Sequence, residues 1–229
     1  MTTAVQRNDR GDGVWARWVA ANALGEMIGL GAATLLGVAL TAGVTAAFGA
    51  QAPAAMMAVF VIGGTFEGAV IGVAQWTVLR QPLPELRLRQ WLVATMIGAF
   101  IAWVLGSLPS TLMAMAPAAA AGSPAGANPL VELLLAAGLG LVAGPILGVG
   151  QAVVLRQHIP GSMGRWVLAN GLAWAAGMPL IFLMAGSVPA AGITVGFAAF
   201  VLVGIGVVGA VVGAVHGLFL AGLLRAQTA

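Results

Sequence analysis

Two acids and one histidine are the residues here best placed to do chemistry in an apolar setting. Glu26, Glu67 and His216 each lie inside a long run of apolar and small residues. A carboxyl pair can hold or pass a proton, and an imidazole can do the same or ligate a metal. An ionised acid at the centre of a bilayer costs at least about 2.5–3.5 kcal/mol. No Lys or Arg lies deep within the same runs to offset it, so at least one glutamate is expected to be the neutral acid. Intramembrane acids are functional-site candidates by default; the bland alternative is a neutral Glu satisfied by a helix neighbour or water.

Five further polar residues recur at matched positions: Asn22, Thr95 and Asn170, and then Gln75 and Gln151, with His216 where a third Gln would fall. Asn22 follows Arg17 by five residues and Gln75 precedes Arg80 by five. At 1.5 Å rise per residue, each lies roughly 7 Å inside the arginine level of a helix, so a polar layer is expected there. Its members could hydrogen-bond across their own helical hairpins, worth about 0.6 kcal/mol each in a membrane. They could instead line a cytoplasm-facing pocket for a polar solute or a lipid headgroup. Glu26 lies one turn beyond Asn22, Glu67 two turns beyond Gln75, so across a hairpin their depths differ by about 5 Å. For His216 a structural hydrogen bond in place of the Gln is the simpler reading, because a single membrane His makes a weak metal site. The candidate ion or substrate site is therefore Glu26, Glu67, Asn22, Gln75, Thr95, Gln151, Asn170 and His216. No catalytic residue, metal centre or cofactor is implied.

The elements that must position these groups are helices. Of 229 residues, 61% are hydrophobic and only 7% charged, against about 25% charged in a soluble domain. Apolar runs long enough to span a bilayer recur, at about Trp15–Leu40, Ala54–Leu79, Trp91–Leu112, Leu130–Leu155, Trp166–Ala185 and Ile193–Leu224. Residues 1 to 13 read as a disordered tail, and the first run is too long for a cleaved signal segment. Pro82 and Pro84 stop the second helix, Pro145 predicts a kink in the fourth, and Met113–Pro129 and Ser187–Gly192 read as a flexible linker and a tight turn. No Cys is present, which excludes disulfides and thiolate chemistry.

The spans fall into three two-helix units, residues 15–80, 81–157 and 158–229, after a tail of residues 1–14. GAVIGVAQWTVLR (68–80) returns as GPILGVGQAVVLR (144–156) and, more weakly, as GAVVGAVHGLFLAGLLR (209–225). RWVAAN (17–22) matches QWLVAT (90–95) and RWVLAN (165–170). Units with two spans each point the same way, so the expected architecture is all-α: six transmembrane helices as three parallel repeats with pseudo-threefold symmetry. All nine basic residues are Arg and fall outside the spans or at one set of helix ends, which places both termini in the cytoplasm of a bacterial inner membrane. Trp15, Trp18, Trp76, Trp91 and Trp166 lie beside those arginines and are expected to form an interfacial belt. Glycines repeat at four-residue spacing, as in Gly64, Gly68 and Gly72, and are expected to let helix backbones approach. The high isoelectric point comes from a few topological arginines and does not indicate nucleic-acid binding.

The pattern G-x-x-x-G-x-x-Q-W-x-V-L-R, followed by a basic loop and W-V-x-A-N, resembles a group of multi-pass bacterial membrane proteins without an assigned activity. It is clear at Gly68–Arg80 and Arg165–Asn170, and departs at Ala152 and His216. The resemblance implies a membrane location and a repeat architecture but no reaction. Three units of two helices also occur in mitochondrial carriers, whose P-x-[DE]-x-x-[KR] motif is missing from this sequence. Function from sequence thus rests between a non-catalytic membrane subunit or scaffold binding a partner protein, a second copy or lipid, and a small proton-coupled transporter using Glu26 and Glu67. An enzyme is disfavoured, since no catalytic dyad or phosphate-binding motif is present.

Overall fold

The computed structural model describes residues 2–116, 128–187 and 194–227. They form six α-helices: α1 (Thr2–Phe48), α2 (Ala52–Leu79), α3 (Leu88–Met115), α4 (Pro129–Leu155), α5 (Ser162–Ala185) and α6 (Val195–Ala226), with a 3₁₀ turn (Gly49–Gln51) after α1. No strand occurs among the described residues. Helix starts follow local chemistry. Asn128 Oδ1 accepts from the Leu130 N–H at 2.9 Å and Thr194 Oγ1 from the Phe197 N–H at 3.1 Å, capping α4 and α6. A proline occupies the first turn of α2 and of α4, where its missing N–H costs nothing. Pro109, Pro145 and Pro179 lie inside α3, α4 and α5.

Three expectations need correction or placement. The tail expected to be disordered is helical from Thr2, continuous with α1. The linker expected over Met113–Pro129 is helical at both edges, and its centre, 117–127, lies outside the described residues. Of the turn expected at Ser187–Gly192, only Ser187 is among them.

Five continuous helical stretches are long and apolar enough to cross a membrane, the first being the 67 residues Gly13–Leu79. That stretch contains both α1 and α2. The chain reverses within it at Gly49, whose φ of +51° favours a residue without a Cβ. Gly29 then meets Glu67, Gly25 meets Ile71, and Gly63 meets Ala33, so α1 and α2 are an antiparallel hairpin.

Each helix packs on the one before it and the one after it, and α1 closes on α6, making a ring. Glycine rows set three of the contacts. A Cβ at Gly68 would lie 2.6 Å from Ala99 Cβ, one at Gly144 2.2 Å from the Asn170 carbonyl oxygen, and one at Gly209 2.6 Å from the Asn22 carbonyl oxygen. Backbone therefore occupies the space a side chain would need at α4/α5 and α6/α1, as expected of small-residue helix contacts in an apolar medium.

One end of the ring carries Arg17, the α2–α3 loop, the α4–α5 loop and the end of α6. Arg17 Nη1 donates to Gln81 Oε1, and Gln227 Nε2 donates to the His158 carbonyl at 2.8 Å. Behind these bonds lies an apolar plug of Trp18, Trp91, Trp166, Leu79, Leu155 and Leu220, all 0% exposed. Leu83 and Leu86 from the polar-looking loop after α2, and Ile159 from the loop after α4, fold back into it.

The plug corrects the expected tryptophan belt. Trp76 stays beside its arginine: its ring lies under the Arg80 guanidinium at 5.4 Å and its Nε1 donates to the Leu86 carbonyl at 3.0 Å. Trp15 is half-buried and donates to the Ala214 carbonyl at 3.0 Å. Trp18, Trp91 and Trp166 instead point into the ring and meet edge-to-face, with centroids 5.8 Å (Trp18–Trp166) and 6.2 Å (Trp91–Trp166) apart. Burying an indole removes a large apolar area from solvent; the N–H groups of Trp91 and Trp166 find partners within the ring, and that of Trp18 has none among the described residues.

Candidate functional site

One turn inward from the plug, the ring contains a cavity of about 40 Å³. Glu26, Glu67, Asn22, Gln75, Thr95, Gln151, Asn170 and His216 all line it, together with Leu147, Trp174, Val212 and other apolar residues. The eight polar side chains are all buried. A single water needs about 10–15 Å³, so the cavity has room for roughly three water-sized molecules.

The polar layer is a connected network. Asn22 Nδ2 donates to the Trp18 carbonyl at 2.8 Å, and its Oδ1 accepts from Gln75 Nε2 at 3.0 Å. Gln75 Oε1 accepts from Trp91 Nε1 at 3.2 Å and from Gln151 Nε2 at 2.9 Å. Gln151 Nε2 also reaches Thr95 Oγ1 at 2.9 Å, and Gln151 Oε1 accepts from Trp166 Nε1 at 3.1 Å. Thr95 and Asn170 donate back to the carbonyls of Trp91 and Trp166, each one turn earlier, at 2.9 Å. Two of these bonds, Gln75–Asn22 and Gln151–Thr95, cross their own hairpins as expected. The other links between helices, including both indole bonds and Gln151–Gln75, run between hairpins and tie α2 to α5 into one belt.

Sequence reasoning missed the indoles as members of this belt. A signal existed: Trp18/Asn22, Trp91/Thr95 and Trp166/Asn170 are each four residues apart, so each pair shares a helix face. It also missed Trp103, whose Nε1 donates to Glu67 Oε2 at 3.1 Å. Trp103 stacks on Phe60 and occupies the space beside Gly64, where a Cβ would fall 2.0 Å from its ring. Trp103 lies beyond the aligned segments, so no periodicity pointed to it.

Glu26 on α1 and Glu67 on α2 both line the cavity, one from each side of the α1–α2 hairpin. Glu67 packs over Gly29, and Glu26 over Gly209 of α6, where a Cβ would lie 2.8 Å from Glu26 Cγ. Glu26 Oε2 has no hydrogen-bond partner among the described residues.

His216 departs from its expected structural hydrogen bond. Neither ring nitrogen has a partner among the described residues. The imidazole stacks on Trp166, with centroids 5.4 Å apart and planes inclined by 28°. Among the described residues, no three His, Cys, Asp or Glu side chains cluster closely enough to hold a metal ion. No protein-family model, curated protein or solved structure matches this chain.

Proposed function

We propose that this chain is a non-catalytic integral membrane protein that moves a small polar or cationic solute, with Glu26 and Glu67 as its proton-coupling acids. The observation that carries the reading is the convergence of eight buried polar side chains, two of them acids, on one cavity. Burying that many polar groups is costly unless they are paired, and the belt pairs most of them while leaving Glu26 Oε2 and the His216 imidazole, on two of the lining residues, without a partner among the described residues. A scaffold that only binds lipid or a partner on its outer face has no need of an enclosed acid pair.

The same proposal takes the ring as six membrane crossings in three parallel two-helix units around a pseudo-threefold axis. It is supported by the reversal within Gly13–Leu79 and by glycine rows that recur at three junctions. Arginines grouped at one end support both termini facing the cytoplasm, here taken as that of a bacterium with this chain in its inner membrane. The similarity in sequence pattern to multi-pass bacterial membrane proteins fits that placement.

The test is proton flux in proteoliposomes. Glu26→Gln and Glu67→Gln keep the volume and hydrogen-bonding capacity but cannot exchange a proton. Both are expected to abolish solute-driven proton movement while the protein still purifies as a folded species. Flux unchanged in both variants removes the transport reading and leaves the scaffold, for which co-purification of a partner or lipid is the next measurement.

A further inference from the structure

Three of the six contacts of the ring lie between hairpins, each joining an even-numbered helix to the odd-numbered helix that follows it around the ring: α2/α3, α4/α5 and α6/α1. At the first two a glutamine amide serves both sides. Gln75 accepts from Trp91 and donates to Asn22; Gln151 accepts from Trp166 and donates to Thr95. At α6/α1 His216 stands in the place of the amide, and Trp18 in the place of the indole donor. Trp18 is close by, its Cδ1 lying 3.3 Å from where a Cβ on Gly217 would be. Yet Trp18 Nε1, both nitrogens of His216 and Glu26 Oε2 have no partner among the described residues. His216 and Glu26 are each 3% exposed, and both line the cavity.

We infer that the α6/α1 side of the cavity binds a small cation carrying N–H donors, with ammonium the smallest of the class, held by Glu26 Oε2 and an imidazole nitrogen of His216. This deepens the transport reading and rests on it. The lining has two acids and no Arg or Lys, so its charge suits a cation. The unpartnered groups on these two lining residues include two acceptors when the acid is ionised and the imidazole neutral: a carboxylate oxygen and a ring lone pair. Ligand N–H groups satisfy both, whereas an alkali ion is a hard cation that the carboxylate oxygen can hold but the imidazole nitrogen serves poorly. A cavity of about 40 Å³ admits ammonium with one or two waters and excludes bulky quaternary amines.

The experiment uses the full chain in lipid nanodiscs, titrated with ammonium chloride against sodium and potassium chloride at constant pH and ionic strength. Ammonium is expected to raise the thermal midpoint saturably, and sodium and potassium are not. The shift is expected to vanish in Glu26→Gln and in His216→Gln. His216→Gln supplies the third amide, so without ammonium it is expected to melt about 2–4 °C higher than the parent. Equal shifts with potassium, or no shift with ammonium, overturn the site. An ammonium shift that survives His216→Gln removes the histidine from it, and a lower midpoint in that variant overturns the argument from the two glutamine junctions. Loss of proton flux in Glu26→Gln without an ammonium shift in the parent leaves transport standing and this inference overturned.

Discussion

The α4/α5 and α6/α1 junctions begin from the same materials and reach different ends. Both close through glycines onto an asparagine: Gly144 and Gly148 onto Asn170, Gly209 and Gly213 onto Asn22. Both place a fully buried indole one turn from that asparagine. At α4/α5 the indole N–H is taken by Gln151; at α6/α1 the equivalent N–H is unpartnered among the described residues. Close backbone approach is therefore achieved by glycine alone, whatever the polar layer does. The hydrogen-bonded belt is a separate contribution, present at one junction and missing at the other.

Mutations can pull these two contributions apart. The largest effect is expected from Gly144→Ala, which sets a Cβ 2.2 Å from the Asn170 carbonyl oxygen. Although Ala is the better helix former, α4 and α5 must separate, at about 3 kcal/mol, read as a lower midpoint and loss of compact migration in detergent. Gln151→Leu comes next, because it strands Trp166 Nε1 and removes donors from Thr95 and Gln75. About 2 kcal/mol is expected, whereas His216→Leu, which breaks no hydrogen bond within the described residues, is expected to cost less; equal losses in the two variants dissolve the contrast.

A finer comparison uses the indoles. Trp166→Phe and Trp18→Phe remove similar volume from the same plug, but only the first leaves a bonded acceptor, Gln151 Oε1, unpaired. Trp166→Phe is expected to be worse by about 1 kcal/mol in equilibrium unfolding. Smallest of all is Gly138→Ala, on α4 but off the glycine row, where a Cβ meets nothing within 4 Å. That change should be neutral or stabilising by up to about 1 kcal/mol, and a clear loss would show that α4 packs on something beyond its two neighbours in the ring.

Much of this could be read from residue order. Hydropathy gives an all-helical chain, and the four-residue glycine spacing gives the faces that close. The matched offsets of Asn22, Gln75, Thr95, Gln151 and Asn170 place them at one level, and the structure gathers all of them, with Glu26, Glu67 and His216, around one cavity. What was not legible is direction. Trp18, Trp91 and Trp166 sit beside arginines, where an interfacial and an inward-facing indole look alike; only the packing of three helix ends together decides between them. Leu83 and Leu86 sit among Arg, Pro and Glu, and their return to the core depends on how far apart α2 and α3 end. The His216 exchange was visible, but its consequence was not, since whether an imidazole reaches an amide's partners is a matter of ångströms rather than of residue type.

The indole cluster has an optical consequence. The chain contains seven Trp and no Tyr, so its intrinsic emission comes from tryptophan. Three of the seven are packed together, and Trp166 lies 5.4 Å from the imidazole that faces the cavity. A protonated imidazole quenches a stacked indole by accepting an electron from its excited state, and a neutral one does so far less. Trp166 therefore reports on His216 itself: a ligand that moves or charges that imidazole changes the emission, and the change can be followed by light without any label.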